Sequence, residues 1–360
     1  MPRLPKLRQR ELPPPHPRLR RARLRQQPQR LRRRNDRSEM NAHGEPAVLL
    51  QGVRKRFGSV DAVSNLDLSV GEGSLVGLLG PNGAGKSTAI RMIMSLIRAD
   101  SGSIRVFGGD ALDMKDRIGY LPEERGVYRR MRVGEFLEFM GRLKGLPREG
   151  LKSRVEQWLE RVELPGVIRA RCQELSKGMQ QKVQFLAAVL HEPDLIVLDE
   201  PFSGLDPVNA RVLIATVKEL HQSGRTIFLS THQMAQAEQL CERVVLINRG
   251  EKILDAQTRE VIERYSARAV IVELVERAST AIGSLGSIDG VDSATEQEDG
   301  RTISLALTDS ADARQVMATA LAAIPCRRVE LSRASLDEVF VRLVTEHGGH
   351  SRQPLQGATR

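Results

Sequence analysis

The 360 residues carry 55 Lys and Arg against 45 Asp and Glu, a net charge of +10, with 40% hydrophobic, 28% charged and only 3% aromatic residues. That length buries a core of two or three domains, and the shortage of aromatic side chains disfavours a nucleic-acid reader that works by base stacking. The excess charge is local, because residues 1–39 hold 14 basic and 3 acidic residues and leave the remainder close to neutral.

Residues 1–39 are Arg- and Pro-rich and lack the apolar content to build a core, which predicts a disordered basic tail. Such a tail reads either as an arm drawn to anionic lipid or nucleic acid, or as a stretch upstream of a true start at Met40. The ordered pattern begins a few residues after Met40 and favours the second reading. From about Ala47 the chain alternates short apolar runs with amphipathic stretches, the pattern of an α/β domain around a largely buried sheet. The runs at 74–79, 195–199, 226–230 and 244–248 are continuous rather than alternating, as strands covered on both faces are.

Between Arg125 and Arg171 only helical spacing is present. Val133, Phe136, Leu137, Met140 and Leu143 make one apolar stripe, and Leu151, Val155, Trp158, Leu159 and Val162 make another, so a helical insertion spanning about 125–185 is expected. After Tyr265 the chain predicts a smaller α+β domain over 265–346. Its marks are a strand at 269–275, a hairpin turn at Asp299-Gly300, an Ala-rich helix from Ala311, a strand near Val329, and a last helix with Ser335 and Glu338 at capping-box spacing. Residues 347–360 are expected to fray. Cys172, Cys241 and Cys326 lie far apart without metal-ligand spacing, and Cys241 is expected to pack in the core on a helical face with Met234, Ala237 and Leu240. No apolar run approaches the ~20 residues that span a bilayer, and the basic N-terminus lacks the apolar centre of a secretory signal.

The chemistry begins at Gly80-Pro81-Asn82-Gly83-Ala84-Gly85-Lys86-Ser87-Thr88, which comes after a strand and precedes a helical run. Glycines at this spacing let consecutive backbone N–H groups converge on phosphate oxygens at a helix N-terminus. Lys86 supplies positive charge to the β- and γ-phosphates, and the Ser87 hydroxyl is a ligand for Mg²⁺. A buried strand ending in Asp199 places a second oxygen ligand for the metal, and Glu200 beside it is placed to polarise an attacking water. Taken singly, an acidic pair after a strand is as often a cap or a surface feature.

Leu175-Ser176-Lys177-Gly178-Met179, shortly before that strand, resembles the signature of the ABC ATPases, whose pattern is Leu-Ser-Gly-Gly-Gln; Lys177 and Met179 depart from it. The resemblance runs in family order over most of residues 47–250. It implies an ABC cassette at 47–264, a P-loop fold that binds ATP and Mg²⁺. It also implies that Phe57 stacks on adenine with Val63 nearby, that Ser176, Lys177, Gly178 and Asp206 reach ATP held by a second copy, and that His232 contacts the γ-phosphate with Glu200 as the catalytic base. Glu123 stands where the family usually has Gln and is a further candidate ligand for Mg²⁺. The small C-terminal domain likens the chain to bacterial exporter ATPases of the sodium-extrusion type. By the same resemblance the chain is expected to be an ATPase working as a homodimer or a pair of cassettes. It would sit at the cytoplasmic face of the membrane through a separate permease, with no nucleic acid as partner. A non-transport ABC ATPase acting on ribosomes or nucleic acid, and a weakly hydrolysing regulatory module, are the alternatives.

Overall fold

Two long strands open the fold, β1 (Val48–Phe57) and β2 (Val60–Val70), antiparallel to each other with irregular register between Leu50 and Arg56. The structure, a computed structural model, describes residues 45–348 apart from Arg125, Ala267, Ser279, Thr280 and Asp309, with backbone alone for 346–348. The basic segment 1–39 and almost all of 347–360 therefore lie outside the described residues. Next comes β3 (Leu75–Leu79), buried at every position, which runs through the glycine-rich loop into α1 (Lys86–Ile93). Then β4 (Ser101–Val106) returns to the free edge of β1 and completes an antiparallel sheet in the order β2-β1-β4.

The central sheet takes β5 (Ile118–Leu121) before the chain leaves for the helical insertion. There α2 (Val133–Leu143), α3 (Leu151–Arg161) and α4 (Lys177–Val189) bury the two apolar stripes against one another, except for Leu143, which was expected on the first stripe but stands exposed where α2 ends. The chain re-enters the sheet as β6 (Leu195–Asp199), followed by α5 (Pro207–Gln222), β7 (Thr226–Thr231), α6 (Met234–Leu240), β8 (Arg243–Asn248) and the antiparallel β9 (Glu251–Gln257). The strand order is β5-β6-β7-β3-β8-β9, and all but β9 run parallel. Alternate side chains of each parallel strand enter different cores. Val76, Leu78, Val197 and Phe228 face the antiparallel sheet and α1, while Leu75, Leu79, Ile196, Leu198 and Leu229 face the helices. Burial on both faces is why these strands read as unbroken apolar runs.

After α7 (Thr258–Tyr265) comes a second domain built as β10 (Ala269–Leu274), α8 (Ile282–Gly286), β11 (Val291–Glu296), β12 (Thr302–Leu307), α9 (Ala313–Ala323) and β13 (Cys326–Leu331). Its antiparallel sheet has the order β11-β12-β10-β13, the split β-α-β arrangement of ferredoxin-like folds, with α8 and α9 packed on one face around Val270, Val272, Leu285, Leu305 and Val316. The last helix, α10 (Leu336–Gly348), joins the cassette core instead, with Leu336, Val339 and Leu343 packed among Met234, Ala237, Val261 and Ile262.

Cys241 also departs from its expected place. Cys241 is buried, but it is not on the helix: α6 ends at Leu240, Cys241 is extended, and a Cβ added to Gly77 of β3 would lie 2.7 Å from its sulfur. The 234–240 stripe ends where the chain turns into β8.

His191, in the turn after α4, places Nε2 3.2 Å from the Ile118 carbonyl, so that nitrogen carries the hydrogen, while its buried Nδ1 has no hydrogen-bond partner. Burial, helped by the nearby Lys144 ammonium, pushes its pKa down from 6.5 to about 4. A base depressed in the folded state binds fewer protons folded than unfolded. Its contribution is complete above the unfolded value and is lost as pH falls towards the folded one. Urea titrations from about pH 7 to about pH 4.5 are expected to show a shallower loss of stability for His191→Gln than for the parent chain; equal slopes would refute this account.

Candidate functional site

Three parallel strands end level and set up the site. Leu79 of β3 pairs in register with Thr231 of β7, and Asp199 of β6 with Ser230 of β7, so the glycine-rich loop, Asp199-Glu200 and His232 all emerge at the carboxyl edge of one sheet. The loop is fixed from both sides. A side chain on Gly80 would strike the Ile247 carbonyl of β8, and one on Gly85, whose φ is +107°, would strike the Ala62 carbonyl of β2. Gly83, with φ +81°, opens away from protein, so its backbone can be approached closely from outside. Helix α1 then starts at Lys86 with no side-chain cap and no acidic residue in its first turn, which leaves its first N–H groups to an anion.

Lys86 is 5% exposed and donates to the carbonyls of Gly80, at 2.7 Å, and Pro81, at 3.1 Å. Its ammonium also lies 3.4 Å from Oε1 of Glu200, itself 5% exposed, a charge pair almost wholly out of water. Oε2 of Glu200 has no aligned hydrogen bond, but Nδ1 of the half-exposed His232 stands 3.0 Å away. Glu200 holds a left-handed backbone with φ +49°, and its N–H donates to the Ser230 carbonyl and hydroxyl.

Asp199 accepts from Ser87 at 3.2 Å and from Ser230 at 2.5 Å, both through Oδ1. Its other oxygen is buried without a hydrogen-bond partner. Burial raises its pKa, the two hydroxyls oppose that rise, and Glu200 adds to it. A serine hydroxyl beside a carboxylate with one oxygen unused is a hard, all-oxygen donor set, and it fits Mg²⁺.

The other residues singled out from the sequence fall in three places. Phe57 is exposed at the end of β1 with the Lys55 ammonium 5.3 Å from its ring centre, whereas Val63 is buried in β2 beneath Gly85. Glu123 is exposed on the loop after β5. Ser176 caps α4 by accepting from the Met179 N–H, Lys177 opens that helix, and Gly178 faces Asn209 so closely that a side chain there would lie 2.9 Å from its amide nitrogen. Asp206 caps α5, accepting from the N–H groups of Val208 and Asn209 and from the Asn209 side chain, and these bonds hold its pKa low. These residues form a second cluster where α4 and α5 begin.

The site also uses residues the motifs did not reveal. Ser230 bonds both Asp199 and the Glu200 N–H. On the buried face of α4, Gln181 donates to the Pro201 carbonyl and Gln184 to those of Pro122 and Glu124, gripping the loops that carry Glu200 and Glu123. The available signal was amide side chains at i and i+3 on an otherwise apolar helix face.

Comparison with known proteins fits this geometry. A family model described as ABC transporter matches residues 63–203, and one described as ATP-binding protein DrrA1-3-like, C-terminal domain, matches 257–344. The chain is 38% identical to the uncharacterized ABC transporter ATP-binding protein YhaQ of Bacillus subtilis, over 82% of this chain and 98% of that one. The chain belongs to the ABC transporter ATP-binding proteins. It is also 32% identical to the daunorubicin resistance ATP-binding protein DrrA3 of Streptomyces coeruleorubidus, over 83% of this chain and 96% of that one. Among solved structures, the dimeric bacterial ABC transporter cassette MJ0796 superimposes with a TM-score of 0.55 at 25% identity, over 59% of this chain and 99% of that one. The cassette is thus an ATPase of the family that couples hydrolysis to transport.

Gly85→Ala is expected to leave the chain folded but to weaken nucleotide binding at least about tenfold, because the new methyl group displaces the loop from the Ala62 carbonyl. Titration with a fluorescent ATP analogue checks this, and unchanged affinity would show that the loop does not cradle phosphate.

Proposed function

We propose that the cassette powers an exporter. Two copies would close on two ATP molecules, each held by Gly80 to Thr88 of one copy and met by Ser176, Lys177, Gly178 and Asp206 of the other. A separate permease would carry the substrate and hold the pair at the inner face of the membrane. The observation that carries this reading is the convergence of Lys86, Asp199, Glu200 and His232 on one sheet edge. Among the described residues no helix is long and apolar enough to cross a membrane, which fits a membrane path supplied by another chain. Export is preferred because the relative DrrA3 is named for drug resistance and shares both matched regions of the chain.

In this reading the Lys86 ammonium exchanges the Gly80 and Pro81 carbonyls for phosphate oxygens and leaves Glu200 free as a base. Glu200 takes a proton from water while His232, 3.0 Å away, orients the carboxylate and faces the terminal phosphate. Ser87 and Asp199 would hold Mg²⁺, with Glu123 reaching it from the loop after β5; the ion supplies charge neutralisation to the phosphates. Phe57 offers an exposed ring to the adenine, and Val63 supports the loop from below.

Glu200→Gln is expected to cut phosphate release at least about a hundredfold while ATP still drives dimer formation in light scattering. Lys86→Ala is expected to lose both. Full-speed turnover by either variant would overturn the proposal.

A further inference from the structure

The C-terminal domain has no catalytic cluster of its own among the described residues, yet it holds the helix just beyond His232. Glu238 lies on α6, six residues past the histidine, and both of its oxygens engage the segment leading into α10. Oε1 is 3.2 Å from the Arg333 guanidinium, and Oε2 accepts from the Leu336 N–H at 3.2 Å. Leu336 is the first residue of α10. Its N–H is one of the groups a helix start leaves unbonded, and Ser335, which caps the helix through the Glu338 N–H, does not reach it. A carboxylate from another element completes the cap and meets the positive end of the helix. The same segment is pinned a second time, since the Ala334 N–H donates to the Ser266 hydroxyl at the end of α7.

Helix α6 itself has only seven residues, too few to hold its own orientation in water. Its position comes from what it packs on: Met234 and Ala237 lie with Leu336 and Val339 in one core, and Cys241 beyond its end presses on Gly77 of β3. His232 is joined to this helix through Gln233, whose N–H donates to the Thr231 hydroxyl. The direction in which the imidazole approaches Glu200 is therefore set by α6, and α6 is set in part from the C-terminal side.

We infer that Glu238 is a positioning residue for hydrolysis: by clasping the start of α10 it fixes α6, and through α6 it fixes His232 against Glu200. The inference rests on the reading of His232 as part of the hydrolytic site. Glu238 is not among the residues that meet ATP in that reading, so its loss lowers kcat and leaves KM for ATP in place.

Steady-state ATPase of the full chain tests this with His232→Ala, Glu238→Ala, Glu238→Gln and the double variant His232→Ala/Glu238→Ala. Glu238→Ala is expected to lower kcat about tenfold with KM within about twofold. Glu238→Gln, which keeps an acceptor for the Leu336 N–H and fills the same space, is expected to recover part of that loss. The double variant is expected to be no slower than His232→Ala, since a residue that acts only through the histidine has nothing left to act on. Parent-like kcat in Glu238→Ala, or losses that multiply in the double variant, would overturn the clasp. Parent-like turnover in His232→Ala would overturn the site reading beneath it, a distinct result. Should Glu238→Ala fail to fold, Glu238→Leu, which keeps the bulk but offers no acceptor to the Leu336 N–H, takes its place, and parent-like kcat there would overturn the inference.

Discussion

Everything in the site depends on a charge that has been taken out of water. The Lys86 ammonium lies buried at the end of β3, and a buried cation is tolerated only where acceptors surround it. Two carbonyls of its own loop and the Glu200 carboxylate provide them. This requirement ties three sequence-distant pieces into one geometry: the loop must curl back over the ammonium, β6 must end level with β3, and β7 must lie between them to bond Asp199 through Ser230. The parallel register of the strands therefore determines the spacing of the reactive groups as well as the shape of the core.

Much of this was legible in the residues. The loop announces itself because only glycine can sit where Gly80 and Gly85 press on neighbouring carbonyls, and the four continuous apolar runs correspond to β3, β6, β7 and β8 because both faces of those strands are covered. The antiparallel sheet was harder to see. β1 and β2 are half exposed and slip register three times, which breaks the alternation by which such strands are recognised. In the C-terminal domain the α+β character could be read, but its topology could not, because β11 turns only Val291 and Ala294 towards the core and α8 is five residues long.

The contacts that join the two domains left still less trace. Glu238 and Leu336 are 98 residues apart, and nothing in either neighbourhood marks a carboxylate that serves a helix elsewhere. The capping box at Ser335 and Glu338 gave the start of α10 correctly, yet said nothing of its destination. That the helix leaves its own domain to pack on α6 and α7 comes from its apolar face meeting Met234, Ala237 and Val261, a match of shapes that linear spacing does not encode.

The backbone at Glu200 adds a different kind of constraint. A residue with a side chain is held there at φ +49°, a conformation that glycine or asparagine adopts more readily, and the hydrogen bonds from its N–H to Ser230 keep it so. The carboxylate is thus held against the preference of its own main chain. If Glu200 is the base we propose, the residues that would fit this turn with least strain are not those that would break down ATP, so stability and turnover would pull this position in opposite directions.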